Sequence, residues 1–415
     1  MIGFWRPTAT GSTGTGSTGT GPLPPVPCHR SHAVVLLPLF QSLTMASPES
    51  PADVFRDSLP SWGPFRPRFP WWGGDLQTVR DSIHPPALPR DQGQRATIDL
   101  AGTDQLLARV DRVPEPWGWV VLVHGLGGCS NGPSLRRLAL VLQDHGLTVV
   151  RLNLRGAGEG RPLAHGSYAA RCDQDVLAAL AWARRQAGSL PLFAVGLSLG
   201  GTVLLNALLT ALGQNPTLGS PLEGLACVSS PLDLEACLGQ MERRRNAFYQ
   251  RWLLRRLVNE VSQDPGGLAA TDQQALRRAL GLGSIRAFDA AITAPRWGYG
   301  SVGAYYAAAT PLTTLLAFGA EASKAPLPPL LLLQAADDPW VPPQAMEVLA
   351  AQATGLPPES QALGRFPSLL LSPAGGHNGF HGQGDGCHRH QGSWADRAVA
   401  TWLVHHGKRS CVAAA

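Results

Sequence analysis

The sequence predicts an α/β fold, with a mostly parallel central sheet and helices on both faces. Three observations predict it. Apolar runs of strand length recur along most of the chain. Helical stretches alternate with them. The later runs are continuously apolar, as expected for strands covered on both faces of a parallel sheet.

The strand-like stretches are RATIDL (95–100), LLARVDRV (106–113), WGWVVLVHG (117–125) and LTVVRLNLRG (147–156). LPLFAVGLS (190–198), GLACVSSP (224–231), PPLLLLQAADD (328–338) and PSLLLSPAGG (367–376) complete the series. Between them, residues 133–145 open on Pro133, which suits the first helical position, and stop before Gly146. Residues 173–186 begin with Asp173 and Asp175 and end with Arg184 and Arg185, a polarity that complements the helix dipole. Residues 199–212 are apolar almost throughout, which predicts a buried helix. The alternation breaks between 232 and 325, where helical patterns persist without a clear strand. That stretch is expected to be a helical lid insertion over one end of the sheet. The expected organisation is a core in two parts, 56–231 and 326–408, with a tail at 409–415.

The first 55 residues differ. GSTGT repeats within 11–20, GPLPPVP follows, and the first acidic residue is Glu49. This composition cannot bury enough apolar surface to order itself. It reads as a disordered segment, or as a misassigned start with Met45 as the true one, in preference to a targeting leader. Hydrophobic residues make up 44% of the 415, enough for a sizeable core. The net charge of +5 is too mild to suggest a nucleic-acid partner. The seven cysteines are odd in number and form no CxxC. Free thiols in a reducing, cytoplasmic setting are the simpler reading. No apolar run approaches the ~18 residues of a membrane span.

Residues 194–202, AVGLSLGGT, carry the chemistry. The glycine-any-serine-any-glycine pattern is weak by itself. Here a buried strand precedes Ser198 and a helix follows it, so the serine is expected on a sharp strand-to-helix turn with its hydroxyl exposed. Gly196 and Gly200 fit because larger side chains would collide across such a turn. The Leu199 N–H, at the helix start, is left to face a developing negative charge. A serine hydroxyl needs a base. In a fold of this kind an acid and a histidine follow on later strand-end loops. LLLLQAADDPWVPP and SLLLSPAGGHNGF supply them. Asp338 is expected to orient His377, because Pro-Trp-Val-Pro follows it. Asp337, one residue earlier, faces the other way if strand geometry persists. HGLGG (124–128) is placed to give the second oxyanion donor, the Leu126 N–H, with His124 supporting the loop.

Motifs in order along residues 60–407 then identify a resemblance. They include PWWGGDLQT (70–78), HGLGG, NLRGAGEG (153–160), GLSLGG (196–201) and SSPLDLEAC (229–237). FDAAITAP (288–295), GYGSVGAYY (298–306), ADDPWVP (336–342) and GGHNGF (375–380) continue the series. The chain resembles the YheT-type α/β-hydrolases, bacterial relatives of plant late-embryogenesis hydrolases and mammalian membrane-associated α/β-hydrolase-domain lipases. The resemblance implies an α/β-hydrolase fold and a Ser-Asp-His triad, carried onto Ser198, Asp338 and His377. The group often has a histidine where this chain has Asp75.

The expected activity is therefore serine hydrolysis of small or lipid-like carboxylic esters. Acyl transfer to an alcohol, or a binding protein on the same fold, are the alternatives. No cofactor or metal is implied. HGQGDGCHRH (381–390) lacks strict ligand spacing. Arg155 is expected to serve structure, anchoring the lid through a carboxylate. MERRRNAFYQRWLLRRL carries six arginines among apolar residues. It reads as a lid helix packed inward with a solvated basic face, peripheral membrane contact being the alternative.

Overall fold

A computed structural model describes residues 63–214, 220, 222–320, 327–354, 366–385 and 392–413, without the side chains of 319, 320 and 408–413. The sequence expectations for 1–55 fall outside these residues. Eight strands form one sheet: β1 (Gln94–Asp99), β2 (Gln105–Asp111), β3 (Gly118–Val123), β4 (Leu147–Asn153), β5 (Leu192–Leu197), β6 (Gly224–Val228), β7 (Leu330–Ala335) and β8 (Ser368–Ser372). Their spatial order is β1-β2-β4-β3-β5-β6-β7-β8. β1–β2 and β2–β4 are antiparallel, and every later pairing is parallel.

Each strand overlaps a stretch read from the sequence, β1 and β2 starting one residue before theirs, and every strand ends sooner than its stretch. The trimmed ends are the loops that carry Ser198, Asp338 and His377. β3 shows why its run has no polar alternation. Trp119, Val121 and Val123 enter one core, while Val120 and Leu122 enter the other. Period-two side chains thus feed two buried faces at once. The first face is covered by α3 (Asp173–Ala187), α4 (Leu199–Gln214) and α12 (Gln344–Thr354). The second is covered by α2 (Pro133–Asp144) and α13 (Trp394–Ala413). α13 runs through most of the expected tail, since no proline or glycine follows Gly407 to stop it.

α1 (Gly74–Ile83) arises from PWWGGDLQT, which the strand-helix alternation does not flag. Between β6 and β7 the described residues are helical. They form α5 (Leu234–Met241), α6 (Ala247–Ser262), α7 (Ala270–Leu282), α8 (Ile285–Phe288), α9 (Ala294–Arg296), α10 (Val302–Ala309) and α11 (Leu312–Ala320). A π-helical turn, Asp289–Thr293, joins α8 to α9. Side-chain caps from Asp233, Ser284 and Ser301 start α5, α8 and α10. Leu253, Leu254, Leu257, Leu276, Phe288 and Tyr305 help build a third core, within these helices.

Buried arginines tie the layers together. Arg137 on α2 donates to Asp396 on α13 at 2.6 Å and to Asp81 on α1. Arg151 on β4 bonds Asp111 and Asp91. Arg155 does serve structure, but not through the lid. Its carboxylate partners are Asp175 on α3 and Asp104 in the β1–β2 turn. Removing one partner from such a cluster strands buried charge. Arg137→Met is therefore expected to cost about 3–5 kcal/mol in urea unfolding. A loss below about 1 kcal/mol would show that the cluster is not a structural tie.

Candidate active site

β5 ends at Leu197 and α4 begins at Leu199, so Ser198 alone makes the turn, at φ +54°. That left-handed conformation is costly for a residue with a Cβ. It is held by the Ser198 N–H on the Val228 carbonyl (2.8 Å) and by Gly201 N–H on the Ser198 carbonyl (3.0 Å). A Cβ on Gly200 would lie 2.3 Å from the Val123 carbonyl oxygen. Only glycine allows α4 to start this close to β3.

His377 lies on the loop after β8. Its Nε2 is 2.8 Å from Ser198 Oγ, and its Nδ1 is 2.9 Å from Asp338 Oδ2. With Nδ1–H donated to the carboxylate, Nε2 is the acceptor that faces the serine hydroxyl. Asp338 Oδ1 accepts from the N–H groups of Trp340 (2.8 Å) and Val341 (3.0 Å). Both Asp338 and His377 are buried. Asp337 faces away and accepts from the Gly376 N–H at 2.8 Å, shaping the histidine loop. Burial pushes the Asp337 carboxyl upward, while backbone N–H donors oppose the shift.

Several supporting residues gave no sequence signal of their own. Thr78 Oγ1, on α1, accepts the His377 N–H at 2.8 Å. Ser229 Oγ accepts the Asn378 N–H at 3.1 Å. The Trp340 ring lies 4.3 Å from the His377 ring, centroid to centroid. The PWWGGDLQT and DDPW motifs contain two of these residues, but spacing alone assigns them nothing.

The loop after β3 approaches Ser198 from the opposite side. A Cβ on Gly125 would stand 2.9 Å from Ser198 Cβ. His124 donates through Nδ1 to the Gly125 carbonyl (2.8 Å) and accepts the Leu154 N–H at Nε2 (3.2 Å). Burial drops its pKa to about 4, so it supports the loop as a neutral ring. Gly127 N–H donates to the buried Tyr168 hydroxyl at 2.7 Å. Among the described residues, the N–H groups of Leu126 and Leu199 have no acceptor. Both residues line the same cavity as Ser198 and His377.

That cavity spans about 950 Å³, open solvent at its mouth included. Its walls are mainly apolar, with Leu238, Met241, Leu253, Leu257 and Phe288 contributed by the helical segment. Two acids also line it. Asp289 accepts from Thr293 (2.7 Å) and Tyr306 (2.8 Å), and burial pushes its pKa up to about 6. The FDAAITAP and GYGSVGAYY motifs thus meet at one contact. Glu260 has no hydrogen bond or ion pair on its carboxylate among the described residues, and burial pushes it up to about 7. No group of three or more His, Cys, Asp or Glu side chains able to hold a metal exists among the described residues. Part of HGQGDGCHRH lies outside them. His381, at its start, is buried with Nε2 3.3 Å from Asp81.

The chain matches the alpha/beta hydrolase fold family over residues 118–382 and belongs to that family. Among its relatives is YheT of Escherichia coli (strain K12), whose name assigns it provisionally to the esterases. It is 30% identical over 287 residues, covering 69% of this chain and 76% of that protein. Human phospholipase ABHD3 is 25% identical, covering 81% of this chain and 78% of its own length. The medium-chain fatty acid ethyl ester synthase/esterase 2 of Saccharomyces cerevisiae (strain ATCC 204508 / S288c) is 27% identical, with 78% and 68% covered.

Glu260 yields a pH prediction. Its folded pKa is raised, so the folded state holds a proton that the unfolded state releases earlier. Stability therefore falls as pH rises from the ordinary carboxyl range through about 7, then levels. Glu260→Gln is expected to raise the melting temperature by about 2–4 °C at alkaline pH and by nothing near the unfolded pKa. An equal gain at both extremes would mean that the carboxyl charge is not the cause.

Proposed function

We propose that this chain is a carboxylic ester hydrolase that works through an acyl-enzyme on Ser198. The observation that carries the reading is the hydrogen-bonded series Ser198 Oγ, His377, Asp338, with links of 2.8 and 2.9 Å, opening into an apolar cavity. The names of the relatives, an esterase, a phospholipase and an ester synthase/esterase, support ester chemistry.

In this reading Ser198 Oγ attacks the ester carbonyl carbon while its proton passes to His377 Nε2. The carbonyl oxygen gains negative charge and is met by the N–H groups of Leu126 and Leu199. Collapse of the tetrahedral adduct breaks the bond to the alcohol, which leaves with the proton from His377. Water then adds to the acyl-enzyme, His377 takes and returns its proton, and the carboxylic acid departs. Asp338 fixes the tautomer and stabilises the imidazolium that forms in each half. The apolar walls suit a short or medium acyl chain or a lipid-like ester, and no step calls for a cofactor.

A fluorophosphonate probe tests the nucleophile. The wild type is expected to be labelled and Ser198→Ala to be blank. Labelling that persists in the variant would reject the assignment. A folded wild type that takes no label would favour a binding role. For the acid, Asp338→Asn is expected to lower kcat about 10⁴-fold. Asp337→Asn, which weakens only a loop contact, is expected to cost about tenfold or less. The reverse order would exchange the two roles.

A further inference from the structure

Helix α6 buries Leu253, Leu254, Leu257 and Val261. Its outward face is not simply solvated charge. Phe248 is 74% and Trp252 39% exposed. Scattered exposed aromatics are ordinary, but contiguous ones are not. In and just before α1, Phe69 is 76%, Trp72 59% and Leu76 42% exposed. The two groups form one surface. Asp75 on α1 accepts from both Arg245 (2.7 Å) and Tyr249 (3.1 Å) of the α6 segment. Phe69 packs edge-on against Trp72, and Phe248 against Tyr249.

The charge on this surface is predominantly positive. Arg243, Arg244, Arg245, Arg251, Arg255 and Arg256 are all exposed, and no acid occurs within 243–256. Of the neighbouring acids, Glu260 turns into the cavity, where the Arg256 charge reaches it, and the others are paired. Asp75 holds Arg245, while Glu235 and Glu242 hold Arg286. Among the described residues, the arginines other than Arg245 have no ion pair. Arg256 lies over the Trp252 ring at 4.6 Å. The surface also flanks the site. Arg256 packs beside Gly127 of the oxyanion loop, and Thr78 of α1 holds His377.

We propose that residues 69–76 and the outward face of α6 together dock on an anionic phospholipid surface, with the cavity beside the lipid from which its ester comes. Unpaired arginines and exposed aromatic rings match, respectively, the phosphate charge and the headgroup–acyl boundary of such a surface. A second copy of this chain is a poor occupant, because it would set like charges face to face. The docking stands independently of the chemistry; only the source of the ester rests on the hydrolase reading.

The test is co-sedimentation of the full chain, as Ser198→Ala so that lipid is not consumed. The vesicles are phosphatidylcholine with about a third phosphatidylglycerol, against phosphatidylcholine alone, in about 0.1 M salt. Binding is expected to the anionic vesicles and to fall steeply in about 1 M salt. Arg251→Glu with Arg255→Glu should weaken partitioning by about fivefold or more per arginine. Trp72→Ala with Phe248→Ala should weaken it about tenfold. On the Ser198 background, both double variants should turn over a water-soluble short ester at the wild-type rate. Should a double variant fail to fold, the salt dependence of the parent decides. The proposal falls if anionic vesicles are not bound, or if binding ignores salt and both double variants. It also falls if the surface instead retains a single-stranded oligonucleotide or drives self-association. Vesicle binding without ester turnover by the wild type would reject the hydrolase reading and leave the surface standing.

Discussion

The first turn of α4 packs backbone against backbone on the end of β3, and the rest of the site depends on that contact. Gly200 has no room for even a methyl group beside the Val123 and His124 carbonyls. The same approach forces Ser198 into its left-handed turn, which lifts the hydroxyl out of the sheet. It also brings the 124–128 loop against the serine, so that the Leu126 and Leu199 N–H groups face one cavity. The Ser198 hydroxyl and the Leu126 and Leu199 N–H groups are therefore placed together by one packing event. Gly125, against Ser198 Cβ, extends the close approach along the loop.

The histidine side is built differently. Its loop is held by hydrogen bonds from several elements, not by one tight contact. Thr78 and Gln77 reach it from α1, Ser229 from the end of β6, and Asp337 from the end of β7. Adjacent aspartates divide the labour. Asp338 takes its place against His377 because the Trp340 and Val341 N–H groups and Gln334 surround its carboxylate. Asp337 is turned to the opposite side, accepts from the Gly376 N–H and packs against Gly74 of α1. α1 is itself anchored by the Arg137 cluster, so charge buried between α1, α2 and α13 reaches the histidine through one helix.

These two modes of construction explain what was legible in the sequence. The strands were legible because two buried faces demand unbroken apolar runs, as in β3 and β7. Ser198 was legible because a serine between such a run and an apolar helix has few other conformations open to it. Asp338 and His377 followed from their places at strand ends. Thr78, Ser229 and Tyr168 were not legible. Each acts through a single hydroxyl on a backbone N–H distant in sequence, and no local pattern encodes that. Arg155 shows the limit from the other direction. Its need for a carboxylate was readable, but its choice of Asp175 and Asp104 depends on how α3 and the β1–β2 turn pack. The exposed aromatics of α6 illustrate the same limit, since an amphipathic pattern places the apolar stripe and not the exceptions to it.

The helical segment between β6 and β7 has its own core, yet it is joined to the acid loop at one place. Asn246 donates to the Pro339 carbonyl at 2.7 Å, and Cys237 to the Trp340 carbonyl at 3.3 Å. Tyr249 packs edge-on against Trp340 at 5.3 Å. Those carbonyls lie within the same short loop whose N–H groups orient Asp338. A displacement of α5 and the start of α6 as a rigid unit must therefore either break the bonds to Asn246 and Cys237 or pull the Asp338 carboxylate away from His377. The contacts farther along α6 carry no such penalty: Leu253, Leu257 and Glu260 face the cavity, with no hydrogen bond to the triad loops. The two ends of α6 are therefore held differently: the start through the acid loop, and the far end through Asp264, which accepts from the Gly166 N–H at 2.9 Å and pairs with Arg296.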